Sequence, residues 1–162
     1  MHNKDRGLIM KETSTVYTTC AAETEQCGAE LANLLLQDAT LPRFVALFGD
    51  LGVGKTAFVR GFASVVTPGA AVRSPTFSLV NEYRARPLSL FHFDMYRIES
   101  EDDLLSIGFD DYLMRNGFCL TEWSENILEF IPEESVRVTI EKDDVENTDH
   151  RRITICFCKE GA

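Results

Sequence analysis

Residues 47–58 read LFGDLGVGKTAF, an apolar run that enters a glycine-rich loop and leaves it through a Lys-Thr pair. The run before the loop, RFVALFG at residues 43–49, is almost continuously apolar and has the length of a buried parallel strand. After the loop, apolar side chains recur at helical spacing, which predicts a helix over residues 55–66. The stretch therefore predicts a strand, a glycine turn and a helix N-terminus in succession.

The loop itself, GDLGVGKT at residues 49–56, satisfies the pattern GxxxxGK(S/T) in the strand-to-helix context of a phosphate-binding loop. Its glycines let the backbone turn sharply and point N–H groups at phosphate oxygens, and the helix adds its positive N-terminal end. We expect Lys55 to reach the β- and γ-phosphates and the Thr56 hydroxyl to bind Mg2+. The sequence thus predicts a nucleotide site.

A second magnesium ligand is expected from an acid at the end of a neighbouring strand, and two acids qualify. Asp94 ends the run LSLFHFD and Glu122 ends FCLTE, and both runs have the composition of buried strands. The carboxyl ends of parallel strands meet at the edge of a sheet where ligands bind. Either acid alone could equally be a helix cap or a solvated loop residue, and spacing does not decide which one contacts the metal directly.

Three further residues have open roles. His92 lies two residues before Asp94 on the same strand face, so it could orient that acid, sense phosphate or be a hydrogen-bonded core residue. Trp123, the only tryptophan, could shield the nucleotide or a partner surface, or simply pack. Thr76, in the loop RSPTFSLV, could approach the γ-phosphate and report its hydrolysis, or belong to a plain loop.

The composition of the whole chain limits these interpretations. Its 162 residues suit one domain, which we assign to residues 15–162 behind a polar tail at residues 1–14. A net charge of -10 argues against a protein that binds nucleic acid unaided. There is no apolar run of signal-peptide or membrane-span length, and the five cysteines lack CxxC spacing. We therefore expect a cytoplasmic protein with reduced thiols and no membrane contact.

Hydrophobic spacing and turn residues predict an α/β fold like that of P-loop NTPases, with a mostly parallel sheet, added antiparallel strands and flanking helices. Strands are predicted at residues 16–20, 43–49, 78–83, 88–94, 118–123, 136–142 and 151–158. Helices are predicted at residues 24–37 and 55–66. A third, short helix is expected to open at Ser100, which resembles an N-cap, because acids fill its first turn.

The residues leave two other functions open. A small-molecule kinase would need a phosphoacceptor pocket and a lid with catalytic arginines, for which Arg84, Arg86 and Arg97 are available. A non-catalytic module would bind nucleotide and partners without any turnover that depends on Glu122. A Ras-like GTPase is disfavoured, because the guanine-reading pattern Asn-Lys-x-Asp does not occur downstream of the loop.

The motifs GDLGVGKT, SPTFSLV, FHFDMYRI, GFDDYL and EWSENI, preceded by TEQCGAELA, together resemble the bacterial TsaE family, formerly called YjeE. The resemblance covers about residues 15–157. It implies an ATPase that acts with TsaD and its dimer partner TsaB in making N6-threonylcarbamoyladenosine. This is the modified adenosine beside the anticodon of tRNAs that read codons starting with A. The family does not itself transfer the threonylcarbamoyl group, so contact with tRNA is expected only through the TsaB–TsaD–TsaE complex.

The resemblance also implies roles for particular residues. It makes Thr56 and Glu122 the Mg2+ ligands and gives Asp94 a Walker-B-like role, acting through water. It assigns ATP phosphate binding to Asp50, Leu51, Gly52, Val53, Gly54, Lys55 and Thr56.

Further positions match regions of interest in such proteins. Thr76 falls in the switch, and Trp123 lies near the nucleotide or a partner surface. The helix entry around Ala22 to Thr24 and the basic pair Arg151-Arg152 match regions near the nucleotide. Lys55, Asp94, Glu122 and Thr76 are the expected catalytic set. Because no arginine finger is evident, we expect the isolated chain to hydrolyse ATP weakly.

Overall fold

Seven strands form a single sheet in the computed structural model, which describes residues 13–158. Across the sheet the strands lie in the order β1-β7-β6-β2-β5-β4-β3. The central strands β6, β2, β5 and β4 are parallel, whereas β7, β1 and β3 run antiparallel to their neighbours. In chain order the strands are β1 (Thr13–Thr18), β2 (Phe44–Phe48), β3 (Val80–Tyr83), β4 (Ser89–Asp94), β5 (Gly117–Glu122), β6 (Ser135–Lys142) and β7 (Arg151–Cys158). This arrangement confirms the predicted α/β class with a parallel core and added antiparallel strands.

Helices cover both faces of the sheet. The long helices pack on one face, and the short ones pack on the other, each over its own hydrophobic core. Within residues 13–158, no helix is both long enough and apolar enough to cross a membrane. The helices are α1 (Ala21–Gln37), α2 (Lys55–Val66), α3 (Glu101–Ser106), α4 (Phe109–Met114) and a 3-10 helix (Ser124–Phe130).

The apolar runs of the central strands follow from this three-layer arrangement. In β2, Val45 and Leu47 point toward α1 and α2, whereas Phe44 and Ala46 point toward the core beneath the short helices. A strand buried on both faces has no position for a polar side chain except near its ends. Polar residues at the ends of such strands are therefore the candidates for function.

Helices α1 and α2 approach each other closely through two glycines. A Cβ atom placed on Gly28 would lie 2.1 Å from the Phe58 carbonyl oxygen, and one on Gly61 would lie 1.7 Å from the Glu25 carbonyl oxygen. Neither position has room for any side chain. The close contact brings the first turns of α1 behind the loop that precedes α2, where a Cβ on Gly54 would lie 3.7 Å from Thr24 Cγ2.

The structure shifts several predicted boundaries. Thr13 and Ser14, assigned to the tail, begin β1 because they pair with β7, while residues 1–12 lie outside the described part of the chain. Helix α1 begins at Ala21 rather than at Thr24. Threonine is a residue type that often caps helices, but the hydroxyl of Thr24 contacts Thr18 instead of a helix amide. The predicted cap at Ser100 is confirmed, since its hydroxyl accepts a hydrogen bond from the Asp103 amide.

Helix α4 and the 3-10 helix were not predicted from the sequence. Both are too short to show an apolar period clearly. Their positions depend on tertiary packing, because Phe109 of α4 makes an edge-to-face contact with Phe93 at a centroid distance of 5.6 Å. The 3-10 helix buries Ile127 in the same core.

Candidate functional site

Three parallel strands end at one edge of the sheet and bring the predicted site residues together. The glycine loop leaves β2, Asp94 ends β4 and Glu122 ends β5, and the strand register places Asp94 directly beside Glu122. A cavity of about 470 Å³ opens at this edge. It is lined by Leu51, Gly52, Gly54, Lys55, Thr56, Ala57, Ser74, Thr76, Asp94, Tyr96, Glu122 and Trp123.

The loop has the backbone shape of an anion cradle. Gly52 and Gly54 have φ angles of 79° and 107°, a region that residues with a side chain rarely adopt. A Cβ on Gly52 would meet nothing within 4 Å, so the loop faces open space at that point. Gly54 precedes α2 without a side-chain cap, and the first-turn amides of a helix have no partner inside it. Such an end favours a phosphate group.

Lys55 is held at the mouth of the loop although its side chain is almost fully buried, with 5% of the residue exposed. Its ammonium group donates hydrogen bonds to the carbonyl oxygens of Gly49 and Asp50, and lies 3.8 Å from the centroid of the Trp123 ring. Burial lowers the pKa of Lys55, and nearby carboxylates, Glu125 foremost, oppose that shift. The lysine is therefore positioned as a buried cation that a phosphate oxygen can bind.

Thr56 and Glu122 form the predicted pair of oxygen donors. The Thr56 hydroxyl donates to the Glu122 carboxylate at 3.0 Å from Oε1 and 3.1 Å from Oε2. Mg2+ prefers one or two protein oxygens of this kind and takes its other ligands from water and nucleotide phosphates. Within residues 13–158 no group of three or more His, Cys, Asp or Glu side chains could hold a metal on its own. The pair fits Mg2+ bound together with a nucleotide.

Asp94 lies beside this pair and is also largely buried, with 6% of the residue exposed. Its Oδ1 accepts a hydrogen bond from the Tyr96 amide at 2.9 Å, which fixes the carboxylate at the cavity wall. Thr56 contacts Glu122 rather than Asp94, and this contact favours Glu122 as the direct ligand. The role of Asp94 through water stays a prediction.

His92 contacts Glu122, not Asp94. Its Nε2 lies 2.5 Å from Glu122 Oε2, and the ring is fully buried between the sheet and α2. Of the three roles left open by the sequence, the contacts fit two, a hydrogen-bonded core residue and orientation of an acid. The acid, however, is Glu122 on the neighbouring strand.

The loop that carries Thr76 is tied to the strand that ends in Asp94. Thr76 lines the cavity, and its hydroxyl oxygen lies 2.9 Å from that of Ser74. Leu79, at the end of the loop, has a φ angle of 66° and accepts a hydrogen bond from the Asp94 amide at 2.9 Å. This hydrogen bond connects the loop to the end of β4 at the cavity wall. The switch role of Thr76 stays a prediction.

Three predicted nucleotide-binding residues do not point into the cavity beside Lys55. Asp50 and Val53 line a neighbouring cavity of about 510 Å³ between the loop and the end of β6. Thr24 is buried behind Gly54, where its hydroxyl lies 3.1 Å from that of Thr18. For Asp50 and Val53 the predicted contact with phosphate can only be made through the backbone.

Three residues near the cavity and the glycine loop make contacts that the sequence did not predict. Tyr96 packs against Trp123 at 5.0 Å between ring centroids, and its place two residues after Asp94 was the available signal. Glu125 accepts a hydrogen bond from the Gly49 amide at 3.3 Å. Arg151, at the start of β7, donates to the Val53 carbonyl oxygen at 2.7 Å. No local pattern indicates that last contact, because the two residues are 98 positions apart.

Comparison with known proteins shows which family the chain is similar to. The family described as "Threonylcarbamoyl adenosine biosynthesis protein TsaE" matches residues 18–153. The tRNA threonylcarbamoyladenosine biosynthesis protein TsaE of Haemophilus influenzae is 36% identical over 138 residues, which are 84% of this chain and 87% of that protein. The protein of the same name from Bacillus subtilis is 40% identical over 110 residues, 68% of this chain and 66% of that protein.

A solved structure gives the same result at the level of the fold. The crystal structure of Bacillus subtilis YdiB superposes with a TM-score of 0.70 at 30% identity, covering 91% of this chain and 87% of that chain. A family match over most of the chain, relatives of this similarity and a shared fold lead to one conclusion. The chain belongs to the TsaE family.

Proposed function

We propose that this protein binds ATP with Mg2+ and hydrolyses it in support of N6-threonylcarbamoyl modification of tRNA. The observation that carries the proposal is the Thr56–Glu122 pair, held at 3.0 Å directly beside Lys55 and the glycine loop. The names of its relatives supply the pathway, since the proteins from Haemophilus influenzae and Bacillus subtilis are named for tRNA threonylcarbamoyladenosine biosynthesis.

Each side chain of the site has a task in phosphoryl transfer. Lys55 and the loop amides bind the phosphate oxygens and neutralise the charge that develops on them. Thr56 and Glu122 hold Mg2+, which when bound supplies further positive charge to the phosphates. Asp94, fixed by the Tyr96 amide, orients the attacking water by accepting a hydrogen bond from it. Thr76 lines the same cavity, and its proposed task is to report hydrolysis of the γ-phosphate.

Partners are expected to complete this site. Within residues 13–158, no arginine lines the nucleotide cavity, so this part of the chain does not place that source of transition-state charge stabilisation at the cavity. A net charge of -10 also favours a protein partner over direct binding to tRNA. We infer that TsaB and TsaD are these partners, that tRNA is met only through their complex, and that the protein acts in the cytoplasm.

The test is ADP production by the purified protein, alone and with purified TsaB and TsaD. We expect slow turnover alone, faster turnover with the pair, and no increase for Lys55→Ala. Arg60→Ala is the matched control, because it removes an exposed cation on the same helix whose side chain pairs with Glu25. Rapid turnover by the isolated chain would contradict the need for partners.

The same assay separates the two remaining functions. Phosphate transfer to an added metabolite instead of water would indicate a small-molecule kinase. ATP binding with turnover that is unchanged in Glu122→Ala would indicate a nucleotide-dependent binding module. Either result would overturn the proposed hydrolysis.

A further inference from the structure

His92 is a fully buried residue of β4 with one polar contact. Its Nε2 lies 2.5 Å from Glu122 Oε2, and its Nδ1 is buried without a hydrogen-bond partner among residues 13–158. His92 and Glu122 lie on the same face of their strands as Leu90 and Leu120, which pack against α2. A histidine kept in such a place by packing alone would not need an acidic neighbour.

The contacts define which nitrogen carries the proton. An ionised carboxylate only accepts hydrogen bonds, so Nε2 must be the donor toward Glu122. The nitrogen that faces Glu122 is therefore the one that donates to it.

Glu122 is consequently fixed from two sides by donors on different elements. Thr56 on α2 donates its hydroxyl, and His92 on β4 donates its ring N–H. Only 5% of Glu122 is exposed, so water does not readily replace a lost donor. Donors behind a metal-binding side chain orient it and commonly change metal affinity by about 10- to 100-fold when they are removed.

We propose that His92 is a positioning residue that holds the Glu122 carboxylate in the orientation needed to bind Mg2+. The proposal rests on the proposed function, because it requires Glu122 to be a metal ligand. It predicts a selective effect: loss of the His92 N–H weakens Mg2+ binding, whereas the loop still binds the nucleotide phosphates without the metal.

The experiment compares wild type with His92→Leu and His92→Gln. Leucine fills the space without a donor, and glutamine places an amide nitrogen at the same distance along the side chain as Nε2. The fluorescence of the single Trp123, which lines the cavity, reports ADP binding first in EDTA and then during a Mg2+ titration. Thermal midpoints are recorded in parallel, and His92→Met replaces the leucine variant if that variant does not fold.

We expect His92→Leu to need about tenfold more Mg2+ for half-saturation, with ADP affinity in EDTA within about twofold of wild type. His92→Gln should recover most of the loss. An unchanged Mg2+ midpoint in His92→Leu would overturn the proposal, and so would an equal loss of ADP affinity in EDTA, which indicates a purely structural role. If wild type itself binds ADP but does not respond to Mg2+, the metal part of the proposed function fails as well.

Discussion

Thr56 and Glu122 are 66 positions apart in the chain, and one hydroxyl group joins them. The contact tells more than either residue alone, because an acid at a strand end has several ordinary structural explanations. The spacing of the residues alone fits either Asp94 or Glu122 as the direct metal ligand. The hydroxyl of Thr56 favours Glu122, and the Tyr96 amide holds Asp94 in a separate position.

Replacing Thr56 by valine removes the hydroxyl and keeps the shape of the side chain. We expect Thr56→Val to lower Mg2+-dependent ATP turnover by about 100-fold, the scale typical for loss of one charge-stabilising group. Thr56→Ser retains the hydroxyl and should stay within about tenfold of wild type. ADP release at saturating ATP and Mg2+ measures both. Equal activity of the valine and serine variants would contradict a role for the hydroxyl.

Asp94→Asn removes a charge while the side-chain oxygen can still accept the Tyr96 amide. If Asp94 orients water, kcat should fall by about 100-fold, while nucleotide affinity should hardly change. Steady-state kinetics and equilibrium binding of ADP measure the two quantities separately. The exposed Asp111→Asn serves as control. A loss of affinity that matches the loss of kcat would instead make Asp94 a binding group.

At the scale of elements, the hairpin of β6 and β7 supports the glycine loop from outside. Arg151 donates to the carbonyl oxygens of Val53 at 2.7 Å and Gly52 at 3.4 Å, and to those of Thr148 and His150 in its own turn. These contacts hold the outer side of the loop while its inner side faces the cavity. The order of the loop thus depends on a strand late in the chain.

We expect Arg151→Gln to weaken ADP binding by about tenfold, because hydrogen bonds from a charged group are lost and the loop becomes less ordered before binding. Arg152→Gln is a closely matched control, since the side chain of this neighbouring arginine donates its hydrogen bonds to Glu141 and not to the glycine loop within residues 13–158. Calorimetric titration of ADP measures both variants. If the two variants bind alike, Arg151 does not support the loop.

A cluster of polar side chains joins the edge strand β3 to the end of α4. Glu82 accepts hydrogen bonds from Arg115 at 3.0 and 3.1 Å and from the Tyr112 hydroxyl at 2.7 Å. These bonds, those of Arg115 first, hold the pKa of Glu82 below its ordinary value. A carboxyl with a lowered pKa in the folded state contributes stability above its unfolded pKa, and loses it as the pH falls through the folded value.

Glu82→Gln should therefore lower the urea midpoint of unfolding at pH 7 by a small amount. The difference from wild type should shrink as the pH falls through and below about 4, where unfolded carboxyls become protonated. Glu134→Gln, an exposed loop substitution, is the control. A difference that stays constant over this pH range would show that the glutamate charge is not what stabilises the contact.

Much of the fold and site could be predicted because local chemistry determines it. The glycine loop with Lys55 combines a strand, a turn and a helix start within one short stretch, and Ser100 forms its cap with near neighbours. The remainder depends on contacts between distant segments. Local patterns do not encode the order of strands or the packing between elements. These determine the hydrogen bonds of Arg151 to the glycine loop, the His92–Glu122 contact and the short helix α4.

At the scale of the whole molecule, the close packing of α1 on α2 places the first turns of α1 behind the glycine loop. Gly61→Ala would place a methyl group 1.7 Å from a backbone oxygen of α1, so the helices must separate. We expect a loss of about 3 kcal/mol in unfolding free energy, at the upper end of typical overpacking. Ser64→Ala on the same helix removes one hydrogen bond from an exposed hydroxyl to the Gly61 carbonyl oxygen, and it should stay within about 1 kcal/mol of wild type. Urea denaturation measures both, and equal stability would contradict the packing.

The β1–β7 pairing has a practical consequence for handling the protein. Thr13 and Cys156 are register partners, so the points where the chain enters and leaves the described sheet are adjacent. Both points lie at the edge where the parallel strands begin, because Cys158 pairs with Ser135, the first residue of β6. The nucleotide cavity lies at the opposite edge, where those strands end. Immobilisation through either point should leave the nucleotide edge accessible, and joining the two points would permit a circular permutant.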